Sequence, residues 1–117
     1  VIGLKSRREF LYVARGAKAV RPGVVIQVRS SGAAGETCRV GFTASKKVGG
    51  AIARNRCKRR LRETARQLLP LHGAAGVDYV FIARAATAAR EWPALLDDVK
   101  TALLSLAPAA SAAEDQA

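Results

Sequence analysis

The chain has 117 residues, half of them hydrophobic, enough for one domain with a modest core that needs neither a disulfide nor a structural metal. Twenty Lys and Arg against nine Asp and Glu give a net charge of +11, which favours polyanionic partners, nucleic acid first and anionic membrane second. No apolar stretch approaches the roughly 20 residues of a spanning helix, which argues against a membrane span and for a cytoplasmic protein.

The chain opens on Val1 rather than Met, so a few native residues are expected upstream. Ser6–Ala17 reads as a short helix. Ser6 caps it, Glu9 stands in capping-box position, and Phe10, Val13 and Ala14 fall at i, i+3 and i+4. Gly16 ends it, and Pro22-Gly23 marks a break before the next element. Val24–Arg29, rich in β-branched residues, reads as a strand, and Ser30–Glu36 as a glycine-bearing loop. Arg39–Ser45 alternates, with Val40, Phe42 and Ala44 on one side, and reads as a second strand paired to the first. Lys46–Gly50 makes a basic turn. The longest helix runs from Ala51 to about Leu69, where Pro70 stops it. Its core face gathers Cys57, Leu61, Thr64, Ala65 and Leu68 within an arc of roughly 100°. After a loop over Leu71–Val77, Asp78–Arg84 is apolar on both faces, the mark of a central strand. Glu91–Leu106 then repeats Trp92, Leu95, Leu96, Val99, Leu103 and Leu106 as an amphipathic helix, with Pro93 tolerated in the first turn. The Ala-rich stretch 108–117 is expected to be a disordered tail, leaving a single domain over residues 1–107. The order α-β-β-α-β-α implies an α+β sandwich, helices packed on a small sheet.

The charge is concentrated. Residues 54–66 hold seven basic groups and one acid, Glu63, whereas residues 91–117 hold five acids and one base, Lys100. Opposite the core arc of the long helix, Arg54, Lys58, Arg62 and Arg66 form an i, i+4, i+8, i+12 row. Asn55 and Arg59 flank it, and Arg56 and Arg60 extend the positive surface further round. Like charges four apart repel, and only Glu63 relieves them, so the face reads as a binding surface rather than a solvated one. A membrane-surface helix would place Trp or Phe opposite the charge, and this apolar stripe is too modest. Asn55 offers a donor and an acceptor suited to a base edge or a 2′-hydroxyl, while arginines fork onto phosphates.

Protein-based catalysis finds little support. His72 stands alone after Pro70 with no carboxylate near it in sequence, and the sparse acids sit mostly in the last helix and tail, against a two-metal carboxylate cluster. No catalytic residue and no metal ligand is assigned. Ser45, followed by two lysines, reads as a capping or RNA-contacting hydroxyl rather than a nucleophile. Cys57 reads as a small buried hydrophobe, Cys38 has no visible role, and the two show no zinc or redox spacing.

The stretch GFTASKKVGGAIARNRCKRRLRE (41–63) closely resembles the signature of the bacterial ribonuclease P protein family. There, a strand ending in Ser45-Lys46-Lys47 leads through a glycine turn into a helix opened by Arg54-Asn55-Arg56. Arg8-Glu9-Phe10 is similar to the family's first helix and Asp78–Arg84 to its last strand, so about residues 4–106 can be threaded. The resemblance implies a left-handed βαβ crossover of the ribosomal protein S5 domain 2-like kind. It implies a subunit of an endoribonuclease ribonucleoprotein that partners a catalytic RNA and helps remove the 5′ leader of precursor tRNA. The hydrolysis would belong to the RNA with its bound Mg²⁺. Arg54, Asn55, Arg56, Lys58, Arg59, Arg62 and Arg66 would face the catalytic RNA. Phe10, Arg8, Arg15, Ser45, Lys46 and Lys47 would serve the leader, in a cleft between the first helix and the sheet.

The chain departs from the family in that cleft. Ala14 and Gln27 stand where the family commonly has aromatic residues, and Tyr12 points elsewhere on its helix. Leader binding is therefore expected to lean on charge more than on stacking. The competing readings are a structural RNA-binding protein such as a small ribosomal protein, which charge alone would not distinguish, and a DNA-binding regulator, which lacks a helix-turn-helix pair here. The free protein is expected to be a monomer, since the net charge opposes self-association, and to gain stability from anions.

Overall fold

The computed structural model describes residues 2–32 and 35–115. Along the chain run β1 (Ile2–Gly3), α1 (Arg7–Ala14), β2 (Ala17–Arg21), β3 (Val24–Ser30) and β4 (Arg39–Thr43). A 3-10 turn at Lys46–Val48 comes next, then α2 (Ala51–His72), β5 (Val77–Ala83) and α3 (Trp92–Asp115). The strands form one sheet in the order β1-β4-β5-β3-β2. β4 lies parallel to β5 and β1, and β3 antiparallel to β5 and β2. The mixed α+β sandwich is the expected one, with two strands more than the sequence pattern suggests.

Both additional strands lack a periodic signal. β1 has two residues, and β2 (AKAVR) lacks the β-branched run that marks β3. Its first residue, Ala17, falls in the segment expected to finish the first helix. That helix instead ends at Ala14, after opening with the expected capping box: the Glu9 amide donates to Ser6 Oγ, and Glu9 Oε1 accepts from the Ser6 amide at 2.8 Å. Pro22-Gly23 is the turn of a tight hairpin, since Arg21 pairs with Val24. A side chain at position 23 would have to push Asp98, Leu95 and Arg90 aside. A Cβ there would stand 2.7 Å from Asp98 Oδ2 and 2.8 Å from Leu95 Cδ1, because the hairpin tip presses on α3.

The pairing of the two consecutive strands is corrected. β3 and β4 do not touch, and β5 lies between them. A strand apolar on both faces gains most at the centre of a sheet, and the long α2 crossover returns β5 parallel to β4. The core draws on one face of the sheet, where Ile26, Tyr79 and Phe81 meet Leu61 of α2 and Leu95 and Val99 of α3. Burying each of the fully enclosed ones, such as Phe81 or Leu61, stabilises the fold by about 1.5–3 kcal/mol. On α2 the buried stripe is Cys57, Leu61, Thr64, Ala65 and Leu69, with Leu68 only half-buried. α1 packs on the other face through the fully buried Val13.

Two helix ends differ from expectation. Pro70 does not stop α2, which runs on to His72. In the last turn a proline forfeits a single i−4 bond, and the Gly73 amide still closes on the Leu69 carbonyl at 2.7 Å. α3 passes Leu106 and continues to Asp115, over most of the stretch expected to be a disordered tail, with Ala110 buried in the core. Residues 33–34 of the Ser30–Glu36 loop and 116–117 of the tail lie outside the described residues.

Both cysteines are free and buried, and burial pushes both thiols up from their ordinary value. Since the thiolate is the reactive species, iodoacetamide at about pH 7.5 is expected to label neither cysteine in the native protein and both after denaturation. Mass spectrometry of the intact chain reads the result, and rapid native labelling of Cys57 would place α2 differently on the sheet.

Candidate nucleic-acid interface

α2 starts at a glycine turn, with Gly50 as its N-cap and the Arg54 amide donating to the Gly50 carbonyl at 2.9 Å. No acid sits in the first turn, so the positive end of the helix dipole adds to the arginines beside it. Asn55, Arg56 and Arg59 are exposed, and Arg54 and Lys58 are partly so. Among the described residues, no carboxylate pairs with Arg54, Arg56, Lys58, Arg59 or Arg62. The basic face is thus uncompensated over its first two turns, the arrangement that a chain of phosphates would neutralise.

Further along, the row is modified by its neighbours. The Arg62 guanidinium lies over the Phe42 ring at 5.6 Å from its centroid, so its charged head rests against the edge of that ring's face while the residue stays exposed. Arg66 Nε donates to Glu63 Oε2 at 2.9 Å, and its Nη2 donates to Oε1. The Arg66 guanidinium, with Gln67, holds the Glu63 carboxyl down to about 2. Arg66 therefore presents a largely neutralised charge and is the weakest member of the row.

Arg60 leaves the expected surface altogether. Its guanidinium donates to the carbonyls of Thr87, Ala88 and Arg90 and lies over the Trp92 ring at 5.8 Å. It fastens α2 to the loop that leads into α3. A helical wheel places it among the exposed bases because loop carbonyls do not figure in helical periodicity.

Ser45, Lys46 and Lys47 come directly after β4 and are all exposed. The Ser45 hydroxyl makes no capping bond to the 3-10 turn, so the capping role fails and the group faces solvent. On the other face of the sheet, Phe10 lies directly on Gly41. A Cβ at Gly41 would stand 2.4 Å from Phe10 Cζ, so the absent side chain is what seats the ring. The strand register sets Gln27, Val80 and Gly41 in one row across β3, β5 and β4. Phe10 and Gln27 thus share one face of the sheet, with Val80 between them in the row. Arg8, Ala14 and Arg15 are exposed along α1. Tyr12 is committed elsewhere, its hydroxyl donating to the Ser30 carbonyl and its ring carrying the Arg29 guanidinium at 4.0 Å.

Sequence reasoning missed one cluster. Arg39 donates to both Asp78 oxygens, at 2.8 and 2.7 Å, and to Glu9 Oε2 at 2.5 Å. Glu9 is held below the usual carboxylate range by the Lys5 and Ser6 amides and then by Arg39, and Asp78 foremost raises the Arg39 guanidinium. The clasp binds α1 to β4 and β5 and so fixes the height of Phe10 above the sheet. Its signal was an acid, Asp78, at the head of an otherwise apolar strand, since a buried carboxylate requires a partner.

Among the described residues there is no group of three or more His, Cys, Asp and Glu placed to hold a metal ion, and no helix long and apolar enough to cross a membrane. The geometry offers positive, hydrogen-bonding surfaces on two sides of one sheet.

A family model described as Ribonuclease P matches residues 2–107. The ribonuclease P protein component of Caulobacter vibrioides is 58% identical over 104 residues, spanning 89% of this chain and 70% of the relative. That of Ruegeria pomeroyi is 50% identical over 105 residues, spanning 88% and 84%. The solved RNase P protein of Staphylococcus aureus shares the fold with a TM-score of 0.74 at 23% identity, covering 93% of this chain and 97% of that one. The RNase P protein of Thermotoga maritima does so with a TM-score of 0.71 at 25% identity, covering 84% and 91%.

Proposed function

The chain belongs to the ribonuclease P protein family, and we propose that it docks α2 on the catalytic RNA of that ribonucleoprotein while the cleft between α1 and the sheet takes the 5′ leader of precursor tRNA. As a ribonuclease P protein component its place is in tRNA processing. The observation that carries the docking assignment is the unpaired run Arg54, Arg56, Lys58 and Arg59 on the exposed side of α2. Their guanidinium forks and ammonium suit phosphate oxygens, and Asn55 between them suits a base edge or a 2′-hydroxyl.

For the leader, Phe10 supplies one stacking surface, and Arg8, Arg15, Lys46 and Lys47 supply charge, with the Ser45 hydroxyl beside them. The protein would screen phosphate repulsion between the two RNAs and raise substrate affinity. Mg²⁺ would serve the cleavage and would be held by RNA: among the described residues no three His, Cys, Asp or Glu are grouped to hold a metal ion, and Glu9, Asp78, Glu63 and Asp98 are each bound to an arginine.

Reconstitution tests the reading. The protein is mixed with a bacterial ribonuclease P RNA and precursor tRNA at low Mg²⁺, and 5′ maturation is monitored. Stimulated cleavage is expected. The absence of both stimulation and RNA binding above nonspecific affinity would refute it. In the same assay Phe10→Ala is expected to weaken leader affinity by no more than about tenfold, one stacked base's worth. Raising the salt is expected to cost more. A larger loss from Phe10→Ala at every salt concentration would show that stacking, not charge, holds the leader.

A further inference from the structure

A cavity of about 570 Å³ opens where α2 meets the start of α3, lined by Arg59, Arg60, Arg62, Glu63, Arg66 and Trp92. Its walls differ from those of the basic row. Trp92 packs one side against the core and borders the cavity with the rest. Arg60 sits over the indole, and its Nη1 and Nη2 are already spent on the carbonyls of Thr87, Ala88 and Arg90. It therefore offers a flat, immobilised guanidinium plane rather than a free donor. Arg59 and Arg62 stand exposed at the rim with no carboxylate partner among the described residues, while Glu63 occupies Arg66. A rigid π-type platform, the Arg60 plane backed by the Trp92 indole, beside two guanidinium forks without a carboxylate partner matches one chemical object, an aromatic base joined to a phosphate. A paired base would be held in its own stack and could not enter, so the ligand is an unpaired nucleotide.

We propose that this cavity receives one unpaired nucleotide of the bound RNA, its base stacked on the outer face of the Arg60 plane that the Trp92 indole backs, and its phosphate held by Arg59 and Arg62. The RNA contact then continues from α2 onto the start of α3. This rests on the reading that α2 docks on RNA. Because Arg60 and Trp92 are fixed before the RNA arrives, the site forfeits little side-chain freedom on binding.

Trp92 is the only tryptophan of the chain, so intrinsic fluorescence reports on this site alone. The full-length protein is titrated with a short single-stranded oligoadenylate and with an abasic strand of equal length and charge. The oligoadenylate is expected to quench the fluorescence and bind about tenfold more tightly than the abasic strand. By anisotropy of labelled strands, Trp92→Phe keeps most of that preference and Trp92→Leu, which retains an apolar contact with the core, loses it. Equal binding of the two strands by the unaltered protein overturns the proposal, and this comparison needs no variant to fold. An undiminished preference in Trp92→Leu overturns it too. Free adenosine monophosphate binding as tightly as the strand would overturn the assignment to an RNA chain. Binding of ribonuclease P RNA without any quenching would sink the pocket and leave the docking of α2 intact, whereas no RNA binding at all would sink both.

Discussion

Replacing Asp78 with alanine is expected to lower the stability of the free domain by about 3–5 kcal/mol, a fall of about 15 °C in melting temperature. The side chain is fully buried and holds two of the three hydrogen bonds made by Arg39, whose own side chain is only 16% exposed. Removing the carboxylate strands a guanidinium at the start of β4 with Glu9 alone for company. Against a total of about 5–15 kcal/mol for a domain of this kind, that is a large share. Arg39→Ala should be comparably damaging because it leaves the buried carboxylate without its partner. Replacing both, Arg39→Met with Asp78→Leu, should recover most of the loss, since an apolar pair asks for no hydrogen bonds. Urea titrations read by circular dichroism give the three values. Single losses below about 1 kcal/mol, the usual worth of an exposed pair, would mean that the clasp does not hold α1. The pH dependence has a definite sign. Glu9 is lowered in the folded protein, so its contribution is fully present above its unfolded value and is lost as pH falls through the lower folded one. The domain should weaken in acid from this end of the sheet first, with α1 amides exchanging early.

What the sequence displayed clearly was local or strongly periodic. The Ser6–Glu9 capping box is a four-residue signal and stands as expected. α2 repeats its apolar side over enough turns to reveal both the buried stripe and the face opposite it. The ordered unit from Ser45 to Arg56 points to the family by residue order alone. What failed depended on distant partners. β2 is a strand because β3 offers it a ladder, not because Ala17–Arg21 prefers extension. β3 and β4 are consecutive in the chain, and neighbours in sequence usually pair, but the doubly apolar β5 takes the place between them. Arg60 and Arg62 look alike on a helical wheel, yet one is drawn onto three loop carbonyls and the other stays exposed with its guanidinium over Phe42. The candidate site was therefore legible as a face and illegible in its membership. Arg60 is fastened to the loop before α3, and Arg66 is half-spent on Glu63.

That division of labour on α2 makes the second large effect specific. Arg54→Ala combined with Arg56→Ala is expected to weaken assembly with ribonuclease P RNA by about 100-fold near physiological salt, from two lost charge-assisted contacts of about 1.4 kcal/mol each. The slope of log affinity against log salt should become shallower by about 2, because two fewer counterions are released. Arg60→Lys should do the reverse. A lysine ammonium keeps the charge but cannot span the carbonyls of Thr87, Ala88 and Arg90 as a planar fork does. Thermal stability should fall while the salt slope holds. Arginines close together on one helix would thus separate by salt slope, one pair acting through charge on the RNA and Arg60 acting through the fold and the stacking plane it offers. Filter binding over a salt series, with melting curves for each variant, gives both readings. If the Arg54 and Arg56 changes leave the slope untouched in a protein that melts normally, the RNA does not lie on the start of α2, and the face to examine next is the rim of Lys46 and Lys47.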